Sequence, residues 1–202
     1  MTDQKISDEA ELDRLWAIVR SDVENERFEE AKAALLKLIE LGDFGAYSTL
    51  GSIYDGNGDN EPSAYAQAVE CYQKFLIHDD LPGVHLALAR IYYFGLGQDK
   101  NGHLALKHLL STKPEQQPQA AVLLANLYYY GEVVSKNFDR AKELYEIAVD
   151  AGYPWAMRQL SYINFREGRW LDAVKMQVRC IAQLAKLRYE NVPDARLLGY
   201  RL

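Results

Sequence analysis

Cysteine is scarce in this 202-residue chain, and so are the segments that mark secreted and membrane proteins. Two cysteines, Cys71 and Cys180, are too few for a disulfide framework. The opening residues, MTDQKISDEAELDRL, lack the basic stretch and the apolar core of a signal peptide. No apolar run approaches the ~18 residues that a membrane-spanning helix needs. We therefore expect a cytoplasmic protein with no membrane span.

Basic residues are also fewer than acidic ones. The 23 lysines and arginines stand against 29 aspartates and glutamates, which gives a formal net charge of -6. A dedicated nucleic-acid binder needs positive charge to neutralise phosphates, so this balance argues against that class. The charge is uneven, since residues 1–42 carry 6 basic and 11 acidic side chains whereas residues 154–202 carry 9 and 4. We expect a molecule that is acidic at its start and basic at its end.

The usual signatures of catalysis and metal binding are missing as well. His103 and His108 are five residues apart, which places them about 140° apart on a helix and makes joint chelation of one metal difficult. No C-x-x-C or H-E-x-x-H spacing is present, and GLGQDKNG lacks the spacing of a phosphate-binding loop. Apolar residues at helical spacing flank Cys71 and Cys180, which indicates burial rather than reactivity. The sequence therefore predicts no enzyme, no metal and no cofactor.

The stretch DGNGDN, residues 55–60, is similar to the start of an EF-hand calcium loop. Asp55, Asn57 and Asp59 match the first three ligand positions. The sixth position, which requires glycine, is Asn60, and the twelfth, which requires a bidentate glutamate, is Ala66. We interpret DGNGDN as a loop between two helices, with ordinary turn and cap residues as its acids.

An internal repeat accounts for the glycines. The segments YSTLGSIYDGNG, HLALARIYYFGLG, AVLLANLYYYGEV and AMRQLSYINFREG align on leucines spaced 38, 36 and 36 residues apart, namely Leu50, Leu88, Leu124 and Leu160. Apolar residues recur at i, i+3 and i+4, and a second amphipathic stretch containing alanine follows each segment. Two helices per unit with a period in the thirties indicate an α-solenoid. We expect a positive φ after each of the first three segments, at Gly58, Gly95 and Gly131.

The pattern A-x-x-x-L-G-x-x-Y, with its glycine loop and alanine-containing second helix, resembles the Sel-one-like repeat, a relative of the tetratricopeptide repeat. Ala46, Leu50, Gly51 and Tyr54 match it. The resemblance implies an all-α fold, a right-handed α-solenoid of about five helix-turn-helix repeats in a single domain over residues 1–202. The predicted repeats are residues 9–42, 44–80, 82–113, 117–152 and 154–190, followed by a tail at 191–202.

The last helix is predicted to run from Trp170 to about Glu190 and to stop at Pro193. The residues expected to be available for burial are Leu171, Val174, Val178, Ile181, Ala185 and Tyr189. Terminal repeats of a solenoid need a covered or polar outer face. We therefore expect the tail, DARLLGYRL, to dock on the last pair as a cap; binding of a partner is the alternative for this segment.

The resemblance also assigns residues to a concave groove lined by the first helix of each pair. Toward the C-terminus these positions are rich in aromatic residues and arginine, the types enriched at binding hot spots. The predicted partner-binding residues are Arg90, Tyr93, Phe94, Asn126, Tyr129, Tyr130, Trp155, Arg158, Tyr162, Phe165 and Arg166. For the additional aromatics of YYF and YYY, packing against neighbouring loops is the alternative.

These observations favour a non-catalytic scaffold that binds another protein in its groove. The partner would present an extended segment or a helix, with apolar anchors beside acidic groups, and the scaffold could be an adaptor, an assembly chaperone or an inhibitor or immunity protein for a toxin or effector. The alternative is RNA or single-stranded nucleic acid stacked on Tyr93, Tyr129 and Tyr162, with Arg90 and Arg166 at phosphates. Overall acidity argues against this alternative. The absence of a signal peptide argues against a third hypothesis, a cell-envelope assembly factor.

Overall fold

Ten α-helices make up the regular secondary structure of the residues that the structure describes. The structure is a computed structural model, and it describes residues 2–114 and 117–189, with side chains from residue 9 onward. The helices are α1 (Thr2–Glu24), α2 (Phe28–Glu40), α3 (Ala46–Asn57), α4 (Pro62–His78), α5 (Pro82–Phe94), α6 (Gly102–Ser111), α7 (Pro118–Tyr130), α8 (Phe138–Asp150), α9 (Pro154–Arg166) and α10 (Trp170–Tyr189). The predicted all-α solenoid of sequential helix pairs is therefore confirmed.

The chain divides into two compact units, Met1–Lys100 and Asn101–Leu202. In the first unit each helix packs on the next in chain order from α1 to α5, and in the second from α6 to α10. Each range predicted as a repeat has two helices, although α1 begins at Thr2, before the start of the first range. The single domain and the exact repeat boundaries stay predictions.

The repeated leucine and alanine positions are buried in both helices of each pair. These buried positions are Leu50, Leu88, Leu124 and Leu160 in the first helices and Ala68, Ala105, Ala141 and Ala173 in the second. The small residue beside the leucine has a steric reason in α3, because a Cβ on Gly51 would lie 2.7 Å from the ring of Tyr72. The periodicity of the sequence thus identified the packing face of each first helix.

Glycine is required in these loops for two different physical reasons. Gly95 and Gly131 adopt φ values of 68° and 70°, as predicted, and end α5 and α7 in the left-handed conformation. The prediction is wrong for Gly58, whose φ is -59°. Glycine is needed there because a Cβ would lie 2.4 Å from the ring of Tyr65. A close approach therefore replaces the expected turn conformation at this position.

The stretch DGNGDN is only partly a loop. Its first three residues are still helical, since α3 continues to Asn57. The interpretation of its acids as ordinary cap residues needs correction, because Asp55 forms an ion pair with Arg90 and Asp59 accepts a hydrogen bond from Tyr65 at 2.8 Å. Both carboxylates therefore stabilise the packing within the first unit.

The predicted burial of α10 is wrong. Its buried side chains are Ala173, Cys180 and Leu187. The residues expected to be buried are exposed instead: Leu171, Val174, Val178, Ile181, Ala185 and Tyr189. The helix has two apolar stripes, and the stripe of small residues and one leucine is the one that packs on α9. The tail at 191–202, predicted as a cap, lies outside the described residues. Among the helices that are described, none is long and apolar enough to cross a membrane.

Candidate partner-binding site

Proline and asparagine residues set the start of the helices that carry the second unit's candidate residues. Pro118 and Pro154 occupy the first turn of α7 and α9, where a missing backbone N–H removes no helical hydrogen bond. The side chain of Asn137 caps α8 by accepting a hydrogen bond from the backbone N–H of Arg140 at 2.9 Å. These signals are local, so the sequence alone places the helix starts.

Arg90, in the first unit, is half-buried. Its guanidinium forms an ion pair with Asp55, whose side chain is 14% exposed, while that of Arg90 is 34% exposed. Burial lowers the pKa of Arg90, but the charge of Asp55 and its hydrogen bond, together with Tyr65, outweigh burial and leave the pKa raised. The ion pair leaves Arg90 only partly available, and its role as a contact for a partner or a phosphate stays a prediction.

The doublet after Tyr92 packs within the first unit. Tyr93 is buried, and its ring contacts Phe94 edge-on at 4.8 Å between centroids and Lys100 Nζ at 5.2 Å. Phe94 is half-buried. The ring of Tyr93 is thus unavailable for stacking on a base or a partner, and the packing alternative describes this residue.

Asn126 lies in the core of the second unit. Its side chain is 2% exposed, and its Oδ1 accepts a hydrogen bond from the hydroxyl of Tyr145 at 2.6 Å. The predicted partner contact of Asn126 is therefore wrong, because its side chain is buried, turned toward α8 and bonded there. Tyr129 is half-buried, with edge-on ring contacts to Tyr130 at 5.0 Å, Phe138 at 5.5 Å and Tyr145 at 6.5 Å between centroids.

The remaining predicted residues reach the surface of the second unit. Tyr130, Tyr162 and Phe165 are 44%, 51% and 56% exposed, and Arg166 is exposed as well, whereas Trp155 and Arg158 are half-buried. All of them lie on α9, except Tyr130 at the end of α7. We call this set the aromatic–arginine cluster: Tyr130, Trp155, Arg158, Tyr162, Phe165 and Arg166.

Arg158 occupies the middle of the aromatic–arginine cluster. Its guanidinium carbon lies 5.4 Å from the ring centroid of Trp155 and 5.7 Å from that of Tyr162, and its Nε donates to the Tyr162 hydroxyl at 3.3 Å. Burial raises the pKa of Tyr130, and neighbouring Tyr129 and Glu132 add to this, whereas the positive charge of Arg158 lowers it. The rings of Trp155 and Tyr162 therefore hold the guanidinium of Arg158 in place near the phenol of Tyr130.

Arg166 and Phe165 extend the cluster toward the C-terminal end of α9. The guanidinium carbon of Arg166 lies 3.6 Å from the ring centroid of Phe138 on α8, a close cation–π contact. The ring of Phe165 packs against Trp170 at 4.7 Å between centroids. The supporting residues Phe138 and Trp170 were missed because both lie outside the first helices to which the groove was assigned. The available sequence signal for Phe138 was its position at the start of α8, directly after the N-cap Asn137.

Chemistry beyond binding finds no support in the described residues. No group of three or more histidines, cysteines, aspartates and glutamates is placed there to hold a metal ion. Cys71 and Cys180 are both buried, and burial raises the pKa of the Cys71 thiol to about 11. A thiol that stays protonated at neutral pH is a poor nucleophile.

Solved structures share the fold of this chain. A Sel1 repeat protein from Oxalobacter formigenes superposes with a TM-score of 0.65 at 20% identity, covering 82% of this chain and 68% of that one. MamA superposes with a TM-score of 0.63 at 19% identity, covering 85% and 97% of the two chains. A protective antigen present in uropathogenic Escherichia coli strains, displaying an SLR fold, gives 0.63 at 22% identity over 83% of this chain and 38% of the antigen. At these identities the likeness shows the fold alone.

Sequence comparison identifies the repeat directly. The Sel1 repeat family model matches residues 50–76, 84–111 and 118–153. An uncharacterized protein of Neisseria meningitidis serogroup B is 31% identical over 99 residues, which are 49% of this chain and 21% of the relative. The chain thus spans about a fifth of the length of this curated relative. The matched repeats, the helix pairs and the shared fold lead to one conclusion: the chain is a Sel1 repeat protein.

Proposed function

We propose that this chain is a non-catalytic scaffold that binds a segment of another protein at the aromatic–arginine cluster. Sel1 repeat proteins are generally protein-interaction scaffolds, which supports the class. The observation that carries the location is Arg158, held between the rings of Trp155 and Tyr162 on a partly exposed surface. A guanidinium that is already positioned loses little conformational entropy on binding a carboxylate.

The chemistry of the cluster indicates what the segment carries. Tyr162 and Phe165 expose about half of their surface, and so can bury apolar side chains. Arg158 and Arg166 supply positive charge beside them. We infer that the bound segment has apolar anchors next to acidic groups. An adaptor, an assembly chaperone and an inhibitor or immunity protein of a toxin or effector all use such a surface, and the proposal places the protein in the cytoplasm.

The test compares the proteins recovered by the native chain and by a cluster variant, Arg158→Ala/Tyr162→Ala, from a lysate of the source organism. Loss of a central hot-spot residue typically weakens binding by about 2 kcal/mol or more, so recovery of the specific partner should fall more than tenfold. Ile77→Ala, an exposed position on α4, is the matched control and should recover the partner as the native chain does. Mass spectrometry gives the amounts, and thermal unfolding verifies that both variants are folded.

Two results would contradict the proposal. One is unchanged recovery by the cluster variant. The other is binding of a labelled uridine oligonucleotide that falls steeply with salt and is lost in Arg158→Ala/Tyr162→Ala, which would favour the nucleic-acid alternative. Tyr129 is unsuitable for this variant, because its three ring contacts make a substitution there destabilising.

A further inference from the structure

The outer face of α10 is a long apolar surface with no described neighbour. Leu171, Val174, Val178 and Ile181 are between 59% and 78% exposed, and with Ala185 they repeat at intervals of three and four residues. On a helix this spacing places all five side chains within an arc of about 80°. We call these five residues the outer stripe: Leu171, Val174, Val178, Ile181 and Ala185. An apolar stripe of this regularity on a helix is the usual signature of a second helix packed against it.

A comparison of equivalent repeat positions in α8 and α10 also indicates that a helix could pack against the outer stripe. Ala141 of α8 and Ala173 of α10 are equivalent and both buried. Eight residues later, Val149 of α8 is 3% exposed, whereas the equivalent Ile181 is 59% exposed. The difference arises because α8 packs on the following helix, α9. The outer stripe therefore lies where the next helix of a solenoid would pack.

A second pair of equivalent repeat positions, one of them in the first unit, shows the same difference in exposure. Val69, one residue after the helix alanine of α4, is 9% exposed, and α4 packs on the following α5. The equivalent residue of α10, Val174, is 62% exposed. Two independent positions thus become exposed in α10 for the same reason.

Positive charge lines one edge of the outer stripe. Lys175 and Lys186 project about 40° to 60° from Leu171 around the helix axis, directly beside the stripe. Arg179 lies about 80° from Leu171 and donates to the backbone oxygen of Val149 on α8 at 3.4 Å. The helix has four basic residues and a single acidic one, Asp172, which lies 3.9 Å from Lys175 in an exposed pair. A bound helix should therefore carry acidic residues along the matching edge of its own apolar face.

Other occupants fit this surface less well. Two antiparallel copies of α10 centred on Val178 would bring their basic edges alongside each other. From residue 9 onward, most exposed side chains of α1 are charged, so a second copy stacked end to end would find few apolar contacts there. The segment 190–202 has two acidic and two basic residues, so its charge does not complement the basic edge. An anionic membrane would attract the basic edge but repel a chain whose formal net charge is -6.

We propose that the outer stripe is a second docking surface, which takes an amphipathic helix of another protein with acidic residues beside its apolar face. From Leu171 to Ala185 the stripe is about 21 Å long, which corresponds to a helix of about 15 residues. The outer stripe belongs to α10 and the aromatic–arginine cluster to α7 and α9, so the two surfaces can be tested separately. A scaffold with both would bring two partners together.

The test uses two synthetic helical peptides of about 21 residues, each labelled with fluorescein. Both have leucine and isoleucine at the a and d heptad positions; one has glutamate and the other lysine at positions e and g. Titrated with the full chain and followed by fluorescence anisotropy, the glutamate peptide should bind at least tenfold more tightly than the lysine peptide. Its affinity should fall with added salt, because exposed charges are screened.

Variants define the surface that the peptide uses. Val178→Glu/Ile181→Glu should weaken binding of the glutamate peptide more than tenfold, and Lys175→Glu/Lys186→Glu should reverse the preference between the two peptides. Ile77→Glu, at an exposed apolar position of α4, is the matched control and should bind like the native chain. Arg158→Ala/Tyr162→Ala should also bind like the native chain, so a failure here is distinct from a failure of the proposed function.

Four outcomes would overturn the inference. Absence of binding, or equal binding of the two peptides, shows that the surface does not select an acidic helix. A native dimer in light scattering that Val178→Glu dissociates identifies a second copy as the occupant. A native monomer that dimerises only in Leu197→Ser/Leu198→Ser identifies the chain's own C-terminal segment. Sedimentation with phosphatidylserine vesicles that Val178→Glu abolishes identifies a membrane surface.

Discussion

At the residue scale, the hydrogen bond from Tyr145 to Asn126 is the clearest polar contact in the core of the second unit. Both side chains are almost fully buried, and the bond joins α8 to α7. A buried amide oxygen without a donor would lose its water without replacement. The pair therefore specifies how these two helices pack, and it explains why an asparagine is tolerated among the apolar residues of AVLLANL.

We expect Tyr145→Phe to destabilise the protein by about 1–3 kcal/mol, because the Oδ1 of Asn126 stays buried and loses its donor. Urea denaturation followed by circular dichroism measures the change. Tyr162→Phe, at a half-exposed ring, is the control and should change stability by less than about 0.5 kcal/mol. An equal and small effect of both substitutions would show that the hydrogen bond contributes nothing to stability.

At the scale of helices, Asp55 and Arg90 link α3 to α5 across α4. Arg90 also interacts with Tyr65 of α4, whose pKa is raised by burial and by its hydrogen bond to Asp59. The contact spans 35 residues of sequence. This ion pair and the hydrogen bond from Tyr65 to Asp59 together account for both carboxylates of DGNGDN.

Asp55→Ala should cost about 1–3 kcal/mol of stability, because it leaves the charge of Arg90 partly buried and without its main partner. Chemical denaturation at low and high salt measures the effect. The exposed pair Lys74–Glu70, with 2.7 Å between Nζ and Oε1, provides the control, and Glu70→Ala should leave stability nearly unchanged. Adding Arg90→Met to Asp55→Ala should recover part of the loss. A loss in Asp55→Ala no larger than that in Glu70→Ala would contradict this role.

The helix α10 shows why periodicity alone misplaced a packing face. Its outer stripe is the more apolar by composition, and the sequence therefore indicated burial of that side. The buried side, with Ala173, Cys180 and Leu187, contains smaller residues at intervals of seven. Small side chains let α9 approach closely, and the approach of a neighbouring helix, rather than hydropathy, decides which stripe is covered.

At the scale of the whole molecule, the two compact units have equivalent cores. Leu50 of α3 and Leu124 of α7 occupy the same repeat position, and each is 3% exposed. In a repeat protein each structural unit depends mainly on its immediate neighbours. Substitutions in different units should therefore act independently.

We expect Leu50→Ala and Leu124→Ala each to cost roughly 2–5 kcal/mol, the usual range for a large-to-small change in a core. Since the two sites lie in different units, the double variant should lose the sum within about 0.5 kcal/mol. Guanidinium denaturation of the four proteins measures this, with Ile77→Ala as the exposed control. A double variant that departs from the sum by several kcal/mol would show strong coupling between the units.

The sequence by itself determined the features that depend on neighbours along the chain. Helix spacing, the proline and asparagine starts and the glycine ends at Gly95 and Gly131 are local, so the repeat revealed the helix pairs and the buried leucine and alanine positions. It also indicated surface positions for Tyr130, Tyr162 and Phe165, and all three are exposed, while their role in binding stays a prediction.

Only the tertiary structure decided which partners distant side chains find. Arg90 is neutralised by Asp55, Asn126 turns to Tyr145, and Arg166 lies on the ring of Phe138, and each pair joins different helices. The exposed stripe of α10 depends in the same way on where α9 packs. A repeat pattern gives the position of a residue within its unit. Whether a neighbouring helix buries that side chain or leaves it exposed depends on how the helices pack in three dimensions.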